Sequence, residues 1–272
     1  MQCILTAMKA ESDPLIEYFH LKKVQEFNFP VFSNADLFLI GIGIGKKNIK
    51  SRIKSFMHSI DNLDIQFINI GIAGGRKSIS ELGEIYYIHK IIDESSRKSF
   101  YPDILLKHFF NERVLTTVER EINDGGKGYD TLVDMEASEI FRICEKFVPI
   151  QNLFFLKIVS DHMNFDNGKP GFEKIKNFIT PHIEIFEKYL VSCNNLRNLN
   201  SPILSIDEQN WIKGLAETLS LTKTQSLTIT KIIKGYRLKN PNQSLPDINF
   251  SKPISKFDRN KRYKDICEKF II

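Results

Sequence analysis

Short apolar runs alternate along the first 190 or so positions with longer segments in which apolar residues recur every three or four places. The runs Cys3–Met8, Leu37–Ile44, Ile65–Ile72, Gly83–Ile92, Val114–Val118 and Leu153–Val159 are rich in Ile, Leu, Val and Phe, and several are apolar on both faces. Continuous apolarity over so few residues fits strands buried inside a sheet. The periodic segments, about Ser12–His20, Lys47–Ile60, Ala137–Phe147 and Gly171–Leu190, read as helices. Ser12-Asp13-Pro14 reads as a helix start, with proline in the first turn, where its missing N–H costs little. This alternation predicts an α/β domain around a central mixed sheet.

The pattern changes after Leu190. Cys193–Ser201 is polar and Asn-rich, as expected of a linker. Ser205-Ile206-Asp207-Glu208 followed by Trp211, Leu215 and Leu219 predicts a helix, Thr222–Lys239 a second, and Arg259–Phe270 a short third, with Pro241, Pro246 and Pro253 interrupting. The chain is therefore expected to divide into a domain over residues 1–195 and a mainly helical extension over residues 196–272.

Composition narrows the class. With 42% hydrophobic and 26% charged residues the chain can bury enough surface to order most of its length. It has no run of about 18 apolar residues, so no membrane span is expected. The start of the sequence shows no basic segment ahead of an apolar stretch, so no secretory signal is expected. Cys3, Cys144, Cys193 and Cys267 are far apart and without CxxC spacing, which argues against a zinc knuckle or disulfide framework and for a cytoplasmic setting. Charge is uneven: residues 222–272 hold 12 Lys/Arg against 4 Asp/Glu in a chain of net charge +5, so the tail is basic and the body mildly acidic.

Four segments, the fourth of them a pair, sit at the ends of expected strands, where α/β sheets bind their ligands. Ala7-Met8-Lys9-Ala10-Glu11 offers a general base, or an acid that serves only the helix dipole. Gly41-Ile42-Gly43-Ile44-Gly45-Lys46 is either a tight turn or an anion loop, and it matches neither the Walker A nor the dinucleotide spacing. Asn69-Ile70-Gly71-Ile72-Ala73-Gly74-Gly75 makes a wall for a flat ligand, or a simple loop. Val133-Asp134-Met135-Glu136-Ala137 and Lys157-Ile158-Val159-Ser160-Asp161 each set a carboxylate at an element boundary. The six histidines show no metal-binding spacing, and neither a metal nor another cofactor is expected.

The order of these motifs resembles the nucleoside phosphorylase and nucleosidase superfamily over about residues 1–190, most of all its methylthioadenosine/adenosylhomocysteine nucleosidase branch. The resemblance implies a three-layer α/β/α sandwich around a mixed, partly closed sheet. It implies that a purine nucleoside loses its base by hydrolysis, with Glu11 activating water and Asp161, oriented by Ser160, acting as acid toward a purine ring nitrogen. Glu136 would hold the ribose hydroxyls, Met135 would pack on the sugar, and Ile72, Ala73, Gly74 and Lys157 would complete the substrate site. Asn69 stands where phosphorylases of this fold carry an arginine, which favours water over phosphate as the nucleophile. A phosphorylase and a catalytically weak nucleoside-binding protein are the alternatives.

The chain departs from the family pattern at three residues and in the stretch between Gly83 and Val114, which is shorter than in the adenosine-derivative hydrolases. Ile72 replaces a serine, Lys157 replaces an arginine, and Arg120 stands near the position of a base-stacking phenylalanine. These departures touch the identity of the nucleoside more than the class of reaction. His162 is a further candidate for the pocket. A homodimer is implied by the family. The tail is expected to pack on the domain through Trp211 or to recruit a protein partner. Nucleic acid is not expected as a partner, because the basic residues of the tail are spread out.

Overall fold

The protein is described here by a computed structural model covering residues 1–34, 37–60, 65–165, 168, 170–199, 203–240, 243–246, 248 and 251–270. Asn200 and Ser201 of the expected linker, and Pro241, lie outside the described residues. Two compact units are present, Met1–Leu196 and Arg197–Ile272.

The first unit is built in the order β1 (Gln2–Thr6), α1 (Lys9–Tyr18), β2 (Lys22–Lys23), β3 (Val31–Ser33), β4 (Leu37–Gly41), α2 (Ile49–Ser59), β5 (Gln66–Gly74), β6 (Ile85–Asp93), β7 (Ser99–Phe100), β8 (Asn111–Thr117), β9 (Leu132–Asp134), α3 (Ala137–Cys144), β10 (Leu153–Asp161), α4 (Phe172–Ile179) and α5 (Ile183–Leu199). The described strands form one mixed sheet in the order β10-β6-β8-β9-β5-β1-β4-β3-β2, with β7 on β6. β5 pairs with β1 and β10 in parallel and touches β9 at its tip, so the strands from β10 round to β9 return on themselves.

Alternation along the strands feeds two apolar clusters. Cys3, Leu5, Phe67 and Phe155 point to one face, where Ile49, Ile53 and Phe56 of α2 and Ile140 and Phe141 of α3 cover them. Ile4, Ile68, Ile70, Phe154 and Leu156 point to the other, against Leu15 of α1, Ile179 of α4 and Phe186 of α5. Strands covered on both sides must be apolar on both sides, which explains their continuous hydrophobic runs.

Several boundaries differ from the sequence expectation. α1 begins at Lys9, not Ser12, so Pro14 lies inside the helix. The start is set by Glu11, whose side chain turns back to accept from the Ala7 and Met8 N–H groups. The stretch read as one helix from Gly171 to Leu190 is interrupted by a tighter turn at Thr180–His182, where Pro181 removes a donor, and α5 then runs on to Leu199, through most of the stretch read as linker.

The second unit holds α6 (Ile206–Thr218), α7 (Lys223–Lys239) and α8 (Lys256–Lys269) around its own apolar cluster, with Trp211 against Phe270. The four cysteines are free and buried. No helix among the described residues is long and apolar enough to cross a membrane.

Candidate active site

The register of β5 and β10 lays two chemically distinct strand ends side by side. Lys157 stands opposite Gly71, Ile158 opposite Ile72, Val159 opposite Ala73, and Asp161 opposite Gly74, with an irregularity that leaves Ser160 out of the ladder. β1 delivers α1 to the other side of β5, and β9 ends at Asp134 beside its tip. Parallel strands that end together leave their outgoing loops round one crevice.

That crevice is a cleft enclosing about 670 Å³ of empty space, part of it open to solvent. Glu11, Glu136 and Asp161 face it. Glu11 is almost wholly buried, at 2% exposure. One oxygen accepts from the Ala7 and Met8 N–H groups at 2.6 and 3.0 Å, and the other from the Ile72 N–H at 2.9 Å. Burial raises its pKa, although Lys157 and these three N–H groups oppose the rise. Glu136 follows β9, and its Oε1 accepts from the Gly45 N–H at 2.6 Å. Burial first, then the neighbouring Asp134 charge, pushes Glu136 up to about 7. Asp161 takes the Ser160 hydroxyl on Oδ2 at 2.7 Å and the Met163 N–H on Oδ1 at 2.8 Å.

Asp134 and the exposed Glu121 also line the cleft, and apolar side chains form most of the rest of its wall. Met135, Met163, Val118, Ile122, Ile44 and Phe165 line it, while the Ile72–Ala73–Gly74 stretch of β5 supplies a face with little side chain at Ala73 and Gly74. A side chain at Gly74 would stand 2.6 Å from Met163, so close packing with Met163 requires glycine there.

Lys157 does not line the cleft. It is buried behind the floor at 2% exposure, with Nζ 2.9 Å from Asp134 Oδ2. Burial disfavours its charge, but Asp134, Glu136 and Glu11 outweigh that and raise its pKa. Asp134 also accepts from the Thr117 hydroxyl at 2.7 Å and the Ala137 N–H at 2.9 Å. The role of Asp134 escapes sequence reasoning, because its partner is 23 residues further on and meets it only through the sheet.

The glycine loop after β4 is both a turn and a contributor. Gly43 and Gly45 take φ of +84° and +72°, and the turn presents the Gly45 N–H to Glu136. Its Lys46 reaches Asp93 at 2.5 Å. Burial works against ionisation of Asp93, but Lys46, Ser138 and its other donors hold the carboxyl well below the usual carboxylate range. Besides Lys157, expected in the substrate site, two further expectations are corrected. Arg120 is exposed and absent from the cleft lining, to which Val118 and Ile122 of the same stretch contribute. His162 turns its ring to the Gly75 carbonyl at 2.8 Å, outside the lining. Both sit in loops, whose path sequence spacing does not define. Asn69 is buried in the sheet, where its amide donates to the Leu5 carbonyl.

Solved structures share this architecture. A 5′-methylthioadenosine nucleosidase variant (MTAN) from Chlamydia trachomatis aligns over 69% of this chain and 97% of its own, with a TM-score of 0.54 and 18% identity. The chain has the nucleosidase fold. An MTAN variant from Helicobacter pylori aligns over 71% of this chain and 97% of its own, with a TM-score of 0.52 and 15% identity. The 5′-methylthioadenosine nucleosidase of Arabidopsis thaliana covers 72% and 95%, with a TM-score of 0.52 and 18% identity. No family model and no curated protein sequence matches the chain. The share aligned to these nucleosidases is close to the share of the chain held in the first unit.

Proposed function

We propose that the first unit is a three-layer catalytic domain that hydrolyses the N-glycosidic bond of a purine nucleoside. The observation that carries this reading is that three of the five carboxylates lining one half-apolar cleft are each held by donors of their own: Glu11 by three backbone N–H groups, Glu136 by Gly45, and Asp161 by Ser160 and Met163. Both the Chlamydia and Helicobacter proteins named above are Asp-to-Asn variants with methylthioadenosine bound, which supports a 5′-modified adenosine as the substrate class.

In this reading the residues divide the chemistry among them. The base lies on the Ile72–Gly74 face, and Asp161 gives a proton to a purine ring nitrogen as the glycosidic bond breaks and its electron pair goes to the base. The sugar is left as a ribosyl cation. Glu136 accepts from the ribose hydroxyls with the oxygen that Gly45 leaves free, and Met135 packs on the ring. Glu11 takes a proton from water, whose oxygen bonds to the sugar carbon. A raised pKa suits Glu11 to this task, because a base is most effective when its pKa lies near the working pH. Phosphate in place of water is disfavoured, since its dianion would lie against the Glu11 carboxylate with the Lys157 ammonium already taken by Asp134.

The test is chromatographic detection of free base from methylthioadenosine, adenosylhomocysteine, 5′-deoxyadenosine, adenosine, inosine and futalosine, with and without phosphate. Release without phosphate is the expected result. Release only with phosphate makes the protein a phosphorylase, and no release from folded protein makes it a binding module. Glu11→Gln and Asp161→Asn should each lower kcat by on the order of 10²-fold or more while the melting temperature holds. Full activity in either variant refutes the assigned roles.

A further inference from the structure

The second unit carries a feature that the proposed reaction does not use. α6 ends in a reversal in which Ser220 takes φ of +51°. The Ser220 N–H donates to the Glu217 carbonyl at 3.0 Å and the Leu221 N–H to the Ala216 carbonyl at 2.9 Å, a bonding pattern that closes a helix and turns the chain sharply. Thr222 then caps α7, its side chain accepting from the Gln225 N–H while the Gln225 side chain returns to the Thr222 N–H. Only Leu219–Thr222 separates the two helices. Their inner sides share one apolar cluster: Ile212 and Leu215 of α6, the cap residue Leu219, Ile229 and Ile233 of α7, and Ile266 of α8. Two helices joined by a four-residue turn and braced by a third have the order of elements found in a helix-turn-helix.

The charge is arranged to match. α7 holds five basic residues and no acidic one. Because Ile229, Ile233 and Tyr236 point inward, the opposite side presents Lys223, Thr224, Leu227, Lys231 and Lys234, all exposed. Glu208, the acid of α6 that meets α7, is paired with Arg237. Arg259 of α8 donates to the Ser220 carbonyl at 3.4 Å and adds a cation beside the turn. Five of the twelve basic residues of the tail thus lie on α7, and Arg259 of α8 stands beside the turn before it.

We propose that the second unit binds double-stranded DNA with α7 in the major groove. The B-form major groove admits a helix, whereas the deep, narrow groove of duplex RNA does not. A helix lying on an anionic membrane needs a broad apolar face in the lipid, and the apolar face of α7 is spent on its own unit. Lys223, Lys231 and Lys234 meet phosphates, while Thr224 and Leu227, near the start of the helix, reach base edges, Leu227 being suited to a thymine methyl group.

The experiment is fluorescence anisotropy of a labelled duplex of about 30 base pairs titrated with the full chain between roughly 50 and 200 mM salt. Binding should weaken steeply with salt. The charge reversal Lys231→Glu/Lys234→Glu should weaken it by at least ~10-fold and flatten the salt slope by about 2. Both residues are exposed, so the variant should melt as the parent does. Where it does not, the neutral pair Lys231→Gln/Lys234→Gln is read instead, with the same direction expected. Failure to bind at the lowest salt overturns the proposal. So does unchanged binding by the variant, or equal binding to duplex RNA of the same sequence or to phosphatidylserine-containing vesicles.

Discussion

One buried ammonium answers to three carboxylates beneath the cleft. Lys157 sits on Asp134 and also feels Glu136 and Glu11, so the group carries more negative charge than it can neutralise. The proton that relieves it belongs to Glu136, pushed up to about 7 from an ordinary value near 4.5 by burial and then by Asp134, with Glu11 adding to the rise. In the unfolded chain Glu136 ionises at its ordinary value. Between these two values the folded protein therefore holds a proton that the unfolded chain has lost. The associated stability is fully present below the unfolded value, falls as pH rises to about 7, and stays low beyond it. Glu136→Gln should remove this dependence and raise stability by on the order of 1–3 kcal/mol at about pH 8. Urea midpoints compared near pH 5 and pH 8 check it, and an unchanged pH dependence in the variant would place the proton elsewhere. At about pH 8, where Glu136 is ionised, the same substitution should cost substrate affinity, because an amide offers a ribose hydroxyl a weaker acceptor than a carboxylate.

At the scale of elements, Gly71 is the point where three of them meet. A Cβ there would stand 2.9 Å from Glu11 Oε1 of α1 and 3.4 Å from Lys157 Nζ of β10. The Glu11 carboxylate cannot simply swing aside, because three N–H groups hold it. Gly71→Ala should therefore displace Glu11, cost about 1–3 kcal/mol of stability and lower kcat far more than KM. Wild-type kcat in that variant would show that the position of Glu11 is not critical. How much of this was legible follows from the same geometry. The long strands were, because a strand covered on both faces has no polar positions to hide its pattern. β2, β3, β7 and β9 were not, since two or three residues show no period and are fixed by their neighbours alone. The carboxylates at strand ends stood out because an acid directly after an apolar run is conspicuous. The bond of Lys157 to Asp134 and the cleft positions of Met163 and Phe165 did not, since they depend on register and loop path.

At the scale of the whole molecule, the sequence already separates an acidic body from a basic tail, and the structure gives the body two large apolar clusters and the tail one of its own. Glu11 is fixed by backbone groups of β5 and by the residues just before α1, whereas Lys231 and Lys234 lie on a helix anchored by Ile229 and Ile233. Substitutions that share no partner act independently. Glu11→Gln should abolish base release and leave the affinity for duplex DNA within about twofold of the parent. Lys231→Glu/Lys234→Glu should do the reverse, and the combined variant should lose both functions by the product of the single effects. Measuring both activities on all four proteins distinguishes the possibilities. A charge reversal in α7 that also slowed base release would mean that the two units share an energetic link, and the tail would then be part of the enzyme instead of a separate binding module. Loss of DNA binding in Glu11→Gln would point the same way from the other end.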